Sequence, residues 1–457
     1  MNYKEAESFL LSLSNLPRRE YMNGRRSHAH ALQRMQRFLD ILGNPEKKLP
    51  HVIHVAGTSG KGSVVTYLSS ILTAHGKKTG FMISPHPTYI TERWQINGQP
   101  MSDTEFTNIV KKISIGLNQY ERTETDDVPS YFEVLTAVGF LYFVKQKVDW
   151  AVIEVGLGGR YDATNVLPKK NIAIITSIGL DHMELLGGTK EKIAFEKAGV
   201  IKLGCRVFTA EKNKKVLAVL QRECRNKKAQ LEVSSFKFSV FKQTIDGIDF
   251  QYKKQNYHVK ALGTHQIKNA ILCIDIARAL HIPEDAIKLG LVKSVQPLRM
   301  EIVSRSPLTI LDGAHNPDKM RTTVETVKSL KHENLKAVNV HLIVGFSADK
   351  NWKQMIRQLA TLNPASIACT RNTVNPFRKV VDPRAIAEHY KKIIKNLPPS
   401  RGETEGGLNA CRIEAFLDPR DALNWTKRFS KQRSIILVTG SIFLSGELRG
   451  ALGSSSI

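Results

Sequence analysis

The chain has 457 residues, with 67 Lys+Arg against 42 Asp+Glu for a formal net charge of +25, and it is 42% hydrophobic and 24% charged. That length and usage exclude a mostly disordered, collagen-like or small disulfide-stapled chain and suit two or three domains with a sizeable core. Five scattered cysteines without a CxxC pair argue for a reducing compartment and against a zinc site.

Residues 3–13 and 29–42 read as helices, the second closed by Gly43-Asn44-Pro45. The opening residues are polar and acidic where a signal peptide places cations and then an apolar block, and no run approaches the roughly 18 apolar residues of a membrane span. A cytoplasmic protein with no membrane partner is expected. Residues 51–56 form a buried strand candidate, 57–62 a glycine-rich turn and 63–75 a helix ended by Gly76. Further strands are expected at 79–83, 150–155, 171–177 and 205–209, alternating with helices at 103–120, 131–145 and 189–198. This alternation predicts a doubly wound, mostly parallel α/β sheet. Residues 231–262 change to short alternating segments and predict antiparallel hairpins appended to that sheet. Helices at 265–280 and 284–292 follow. A second αβ series over 308–312, 319–330, 338–346, 352–361, 365–370, 383–395 and 435–439 predicts a smaller, Rossmann-like C-terminal domain. The boundary is set near 296, giving domains 1–296 and 297–457, and residues 398–408 read as an exposed loop.

The sharpest chemical signal is Gly57-Thr58-Ser59-Gly60-Lys61-Gly62-Ser63 between strand and helix. Backbone N–H groups of such a turn, with the helix N-terminus, make a concave cradle for phosphate oxygens. Lys61 is placed to meet β/γ-phosphates and the Ser63 hydroxyl to meet Mg²⁺, although an extra glycine separates the two from the common P-loop spacing. Glu154 ends an apolar run and precedes a glycine-rich turn, so it reads either as facing the crevice where ligands of parallel sheets sit or as a helix-capping or solvated acid. His182 follows another apolar run and reads equally as a structural residue or a metal ligand. Lys197, on its own, reads as a surface cation. Beyond 296, Arg299, the string Asp312-Gly313-Ala314-His315-Asn316-Pro317 and Gly440-Ser441 read as a second polar site or as turn chemistry.

Together the strings HVAGTSGKGS (54–63), Ser84-Pro85-His86 with Glu92-Arg93, EVGLGGRYDATNV (154–166), Gly179-Leu180-Asp181-His182, Glu196-Lys197-Ala198-Gly199, His265-Gln266 with Asn269, Asp312 to Pro317 and Thr439-Gly440-Ser441 resemble the folylpolyglutamate synthetase and dihydrofolate synthetase family, the folate branch of the Mur ligases. The resemblance spans nearly the whole chain. It implies ATP-dependent ligation of L-glutamate to a folate or pteroate carboxylate through an acyl phosphate. It also implies that Gly57 to Ser63, Asn269, Arg299 and Asp312 hold ATP, and that Ser63, Ser84, Glu154 and His182 ligate Mg²⁺, two ions in all, with room for a monovalent cation. By the same resemblance Lys197 carries a CO₂-derived carbamate, His315 and Ser441 lie near glutamate and the acyl phosphate, and Lys61, Lys197 and His315 act in catalysis. The pterin would meet Pro129, Ser130, Tyr131, Phe132, Tyr161, Asp162 and Ala163, and the enzyme would be a monomer. Three departures stand out: Ser59 where the family often has Asn, Pro87 after Pro85-His86, and Leu298 where a glycine usually precedes the arginine.

Other readings are weaker. A cell-wall Mur ligase carries a UDP-sugar domain of about 100 residues before its phosphate loop, whereas only 56 residues precede Gly57. A non-catalytic binding protein would lack one of Lys61, Glu154, His182 or Lys197, yet all four are present. The charge of +25 suits a nucleic-acid binder, but the lysines are dispersed without interleaved aromatics. No specific nucleic-acid partner is expected, and polyanionic substrates suit the excess of cations equally.

Overall fold

The computed structural model describes all residues except 16–24, 124–127, 169–170, 335–338, 375–378, 396–410 and 454–457. The exposed loop expected at 398–408 lies outside the described residues. The chain divides into two compact units: Met1–Phe238 with Tyr252–Tyr257 and Gln266–Ser294, and Ser239–Gln251 with His258–His265 and Val295–Ile457.

The first unit is built on strands β1 (His51–Ala56), β2 (Thr79–Met82), β3 (Trp94–Ile96), β4 (Gln99–Pro100), β5 (Trp150–Glu154), β6 (Ile172–Ile175), β7 (Arg206–Thr209) and β8 (Gln230–Val233). They form one sheet in the order 4-3-2-5-1-6-7-8. β1 lies parallel between β5 and β6, and only the pairings of β3 with β2 and with β4 are antiparallel. Strands buried on both faces read as continuous apolar runs, which is why β1, β5 and β6 are legible in the sequence. Because neighbouring parallel strands end together, residue 57, Glu154 and Thr176 emerge side by side at one edge of the sheet. Phe38, Trp94, Phe106 and Phe140 belong to one hydrophobic core, and Ile193, Val207 and Leu220 to another.

Residues 238–259 form a separate sheet of β9 (Phe238–Thr244), β10 (Gly247–Tyr252) and β11 (Gln255–Val259) in the order 11-10-9. The expected hairpins exist, but they are not appended to the large sheet. Gln230–Val233, expected among them, instead pairs parallel with β7; its two hydrophobic residues alternate with polar ones, so the pattern does not distinguish an edge strand from a hairpin.

In the second unit, β12 (Glu301–Arg305), β13 (Leu308–Leu311), β14 (Asn339–Val344), β15 (Ser366–Cys369), β16 (Arg412–Ala415) and β17 (Ser434–Thr439) run in the order 12-13-17-14-15-16. All pairings are parallel except β12 with β13. β12 and β16 escape sequence reading because they are half-exposed edges without an apolar run. The helices Pro419–Phe429 and Ile442–Ala451 likewise went unpredicted, the first although Asp418 caps it through the Arg420 N–H.

Among the described residues no helix is long and apolar enough to cross a membrane.

Candidate functional site

The glycine-rich turn follows β1, and its backbone is fixed from the neighbouring strand. Thr58 N–H donates to Ser177 O at 2.8 Å. The Thr176 and Ser177 hydroxyls donate to Ser59 O at 2.7 and 3.3 Å, and Gly179 N–H donates to Thr58 Oγ1 at 3.0 Å. Gly57 has φ +148°, and a Cβ there would lie 1.7 Å from Thr176 Oγ1. Only glycine fits. Gly57→Ala is therefore expected to cost about 1–3 kcal/mol in strain and displaced packing and to weaken ATP binding at least tenfold, read together by urea unfolding and nucleotide titration; unchanged binding would contradict this reading of the loop.

Gly60, at φ +87°, precedes helix Lys61–Ala74 without any side-chain cap, so the first N–H groups of the helix point to the turn. A Cβ on Gly60 would lie 2.5 Å from Asn269 Oδ1, which brings the Asn269 carboxamide against the turn. Lys61 Nζ donates to Gly57 O at 3.1 Å and lies 4.0 Å from Glu154 Oε1. Ser63 is buried.

Glu154, at the end of β5, is buried rather than solvated, and its Oε2 accepts from Ser84 N–H at 2.9 Å. Ile83 N–H donates to Arg93 O at 3.0 Å, carrying Arg93 beside this carboxylate. The Arg93 Nε donates to His86 Nδ1 at 3.1 Å, and the Tyr131 phenol lies near the Arg93 guanidinium. Burial and the Arg93 charge push His86 down to about 3.

The turn after Glu154 docks on the end of helix Lys190–Ala198. Arg160 N–H donates to Glu196 O at 2.8 Å, and a Cβ on Gly159 would lie 2.8 Å from Lys197 O. Lys197 is 5% exposed, which removes the surface-cation reading. His182 precedes the short helix Met183–Leu186, with φ +49° and its side chain 42% exposed, Nε2 3.9 Å from Asp181 Oδ1. Among the described residues no group of three or more His, Cys, Asp or Glu could hold a metal ion. The oxygen-rich set of Ser63, Ser84 and Glu154, with a carboxylate already buried among N–H and cationic groups, nonetheless suits Mg²⁺, a hard cation that is held by few protein ligands and keeps its water.

Ser130 caps helix Tyr131–Lys145 by accepting from Glu133 N–H at 3.1 Å. Glu133 is clamped by Arg34 through Nε at 3.0 Å and Nη2 at 2.9 Å. The Phe132 ring lies on the Gly156 backbone, where a Cβ would stand 2.4 Å from Cζ. Asp162 accepts from Leu157 N–H and Thr164 N–H at 2.8 and 3.0 Å and begins the short turn Ala163–Val166. Burial raises its carboxyl, against those hydrogen bonds. Phe132 and Asp162 thus both border the 154–160 turn.

In the second unit, Asp312 follows β13, and its carboxylate accepts three internal hydrogen bonds. Oδ1 accepts from Thr323 Oγ1 at 2.6 Å and Ala314 N–H at 3.1 Å, and Oδ2 accepts from Met300 N–H at 3.2 Å. Burial raises its carboxyl, opposed by Thr323 and Arg299. Leu298 and Met300, flanking Arg299, have φ of +54° and +55°. That backbone explains the glycine usual before the arginine; here Leu298 is fully buried, so apolar burial offsets the roughly 1 kcal/mol of left-handed strain. Ser441 is buried at the start of helix Ile442–Ala451 and makes no capping bond.

His315 has both ring nitrogens engaged: Nδ1 with Gly313 O at 2.8 Å and Nε2 with Lys319 Nζ at 3.1 Å. Nδ1 therefore donates and Nε2 accepts, which fixes a neutral tautomer. The Lys319 ammonium, then burial, holds His315 well below its ordinary value. The unfolded chain takes up this proton near pH 6.5 and the folded one does not, so stability falls as pH drops below about 6.5, by at most ~1.4 kcal/mol per unit. The ring is part-exposed, so solvent screening narrows the pH range over which this holds. Lys319→Met should flatten this limb in urea midpoints taken from pH 7 to 5; parallel slopes would refute it.

Sequence reasoning missed the side chains that set these groups. Lys319 is detectable as the i+4 neighbour of His315. Thr323, Thr176 and Arg34 leave no local signal, because each acts on a partner supplied by a different element.

Comparison with known proteins gives one answer. The Mur ligase middle domain matches residues 55–277 and the Mur ligase glutamate ligase domain residues 298–442. A Bacillus subtilis dihydrofolate synthase/folylpolyglutamate synthase is 34% identical over 437 residues, 92% of this chain and 94% of the relative. A Lacticaseibacillus casei folylpolyglutamate synthase is 32% identical, covering 79% and 83%. Among solved structures, a Mycobacterium tuberculosis folylpolyglutamate synthase complexed with ADP and AMPPCP is 28% identical with TM-score 0.80, over 93% of this chain and 96% of that one. Escherichia coli FolC in complex with DHPP and ADP is 26% identical with TM-score 0.78, over 98% and 97%.

Proposed function

Since the chain belongs to the folylpolyglutamate synthase/dihydrofolate synthase family of Mur-type ligases, we propose that it joins L-glutamate to the carboxylate of tetrahydrofolate, at the expense of ATP. The dihydropteroate carboxylate is a second acceptor, as the double name of the Bacillus subtilis relative suggests. The observation that carries the reading is the phosphate cradle of residues 57–63 joined to Lys61, Glu154 and Asn269. The acceptor carboxylate attacks the γ-phosphorus, giving ADP and an acyl phosphate; the glutamate amine then attacks the carbonyl and phosphate leaves with the C–O bonding pair.

Negative charge builds on phosphoryl oxygens and then on a tetrahedral oxyanion, so fixed N–H groups and cations supply most of the stabilisation. The uncapped N–H groups after Gly60 and the Lys61 ammonium meet the phosphate charge, and Asn269 orients the nucleotide beside them. Arg299 and Asp312 are assigned to ATP on the family resemblance. Ser63, Ser84, Glu154 and His182 would hold Mg²⁺, which when bound neutralises phosphoryl charge. Lys197 would carry a carbamate, formed when its neutral amine adds CO₂ and releases a proton. With both ring nitrogens engaged, His315 orients Lys319 toward an anionic substrate, and Ser441 adds a hydroxyl donor for glutamate. Ser130 to Phe132, with Pro129, and Tyr161 to Ala163 form the pterin wall. None of the five cysteines is in a disulfide, consistent with a cytoplasmic enzyme, and we take it to be a monomer.

The test is ADP release with Mg²⁺, ATP and L-glutamate, comparing tetrahydrofolate, dihydropteroate and no pterin. Release with both acceptors is expected. Release with tetrahydrofolate alone removes the second acceptor, and release with neither, despite ATP binding, overturns the reading.

A further inference from the structure

A buried guanidinium normally faces a carboxylate, because taking an unpaired cation out of water is expensive. Arg93 is 7% exposed, yet among the described residues no carboxylate forms an ion pair with it. Its Nε donates to His86 Nδ1 at 3.1 Å. A ring nitrogen that accepts this bond carries no proton, so the imidazole beside Arg93 brings no negative charge. The adjacent Glu92 uses Oε2 for the Tyr89 N–H at 2.8 Å. Glu154 acts on Arg93 only through space, while its own oxygens receive Ser84 N–H at 2.9 Å and approach Lys61 at 4.0 Å.

This buried cation is nonetheless tied to the phosphate cradle by short links. Arg93 O accepts from Ile83 N–H at 3.0 Å, the next residue is Ser84, and Ser84 leads through Glu154 to Lys61. Tyr131, near the Arg93 guanidinium, adds a phenolic hydroxyl and belongs to the wall assigned to the pterin.

We propose that Arg93, seconded by the Tyr131 hydroxyl, is the binding site for the acceptor's reacting carboxylate, the group that is phosphorylated. The inference rests on the proposed function and names the residue that grips the acid end of its acceptor. A planar guanidinium presents paired donors matched to a carboxylate. Holding that group in the Glu154–Lys61 cluster brings its oxygen to the γ-phosphoryl and leaves the aromatic body along Tyr131 and Phe132.

The experiment compares two ligands on each protein: the acceptor that the wild type turns over, tetrahydrofolate or dihydropteroate, and its carboxamide at the reacting carboxyl. Binding is measured by calorimetry in the presence of ADP. The wild type should prefer the acid by about 10- to 100-fold, the range of a charge-assisted pair. Arg93→Met and Arg93→Gln should bind acid and amide within about twofold of each other, with ADP affinity kept within about threefold. The preference is a ratio on one folded population, so partial unfolding cancels, and either variant suffices if the other fails to fold. An acid preference that persists in a folded variant overturns the inference while the proposed function stands. A wild type without pterin-dependent ADP release overturns the proposed function and the inference with it.

Discussion

Lys61→Met should lower kcat about 10³-fold, the upper end for removing one preorganised donor from a developing anion, with the fold retained. The side chain crosses the turn to Gly57 O at 3.1 Å and stands 4.0 Å from Glu154 Oε1. These contacts tie its ammonium group to both the cradle and the strand-end carboxylate. Methionine keeps the length of the stem and removes only the charge and its donors. Glu154 keeps the Ser84 N–H, and the lost ion pair is loose, so the folding penalty should stay near 1 kcal/mol. ADP release and thermal unfolding on the same preparation separate the two effects. A kcat within threefold of wild type would show that the cradle works without its cation.

Lys197→Ala is expected to bring turnover below detection, more than about 10³-fold, and millimolar acetate or chloride should restore part of it. A lysine 5% exposed at the end of a helix docked on the 156–160 turn is held inside the fold rather than in solvent. Its amine adds CO₂ in the neutral form, and the product is an anion beside the groups assigned to Mg²⁺. A small anion diffusing into the space left by alanine replaces that charge without replacing the tether. Full activity of Lys197→Ala without additives would sink the carbamate assignment; mass spectrometry of the intact wild type under bicarbonate gives an independent reading.

What could be read from the sequence follows from how local each feature is. Gly57 to Ser63 are contiguous, and β1 and helix Lys61–Ala74 on either side are strong patterns, so both the turn and its chemistry are legible. Glu154 is legible because an acid after a buried apolar run marks a strand end. Lys197 is not, since its burial comes from Gly159, 38 positions earlier. The Arg93, His86 and Tyr131 group joins three segments whose only shared property is position in the folded chain. The missed strands β12 and β16 are half-exposed edges, where hydrogen bonding to a neighbour, rather than apolar pattern, decides the conformation.

The clasp between the 57–60 turn and Thr176, Ser177 and Gly179 also bears on how fast nucleotide arrives. A loop already held in place has little ordering left to undergo when a phosphate docks. Association is then limited by encounter, and a chain of net charge +25 draws in a polyanion by long-range attraction. Added salt should therefore slow ATP association while leaving its dissociation nearly unchanged.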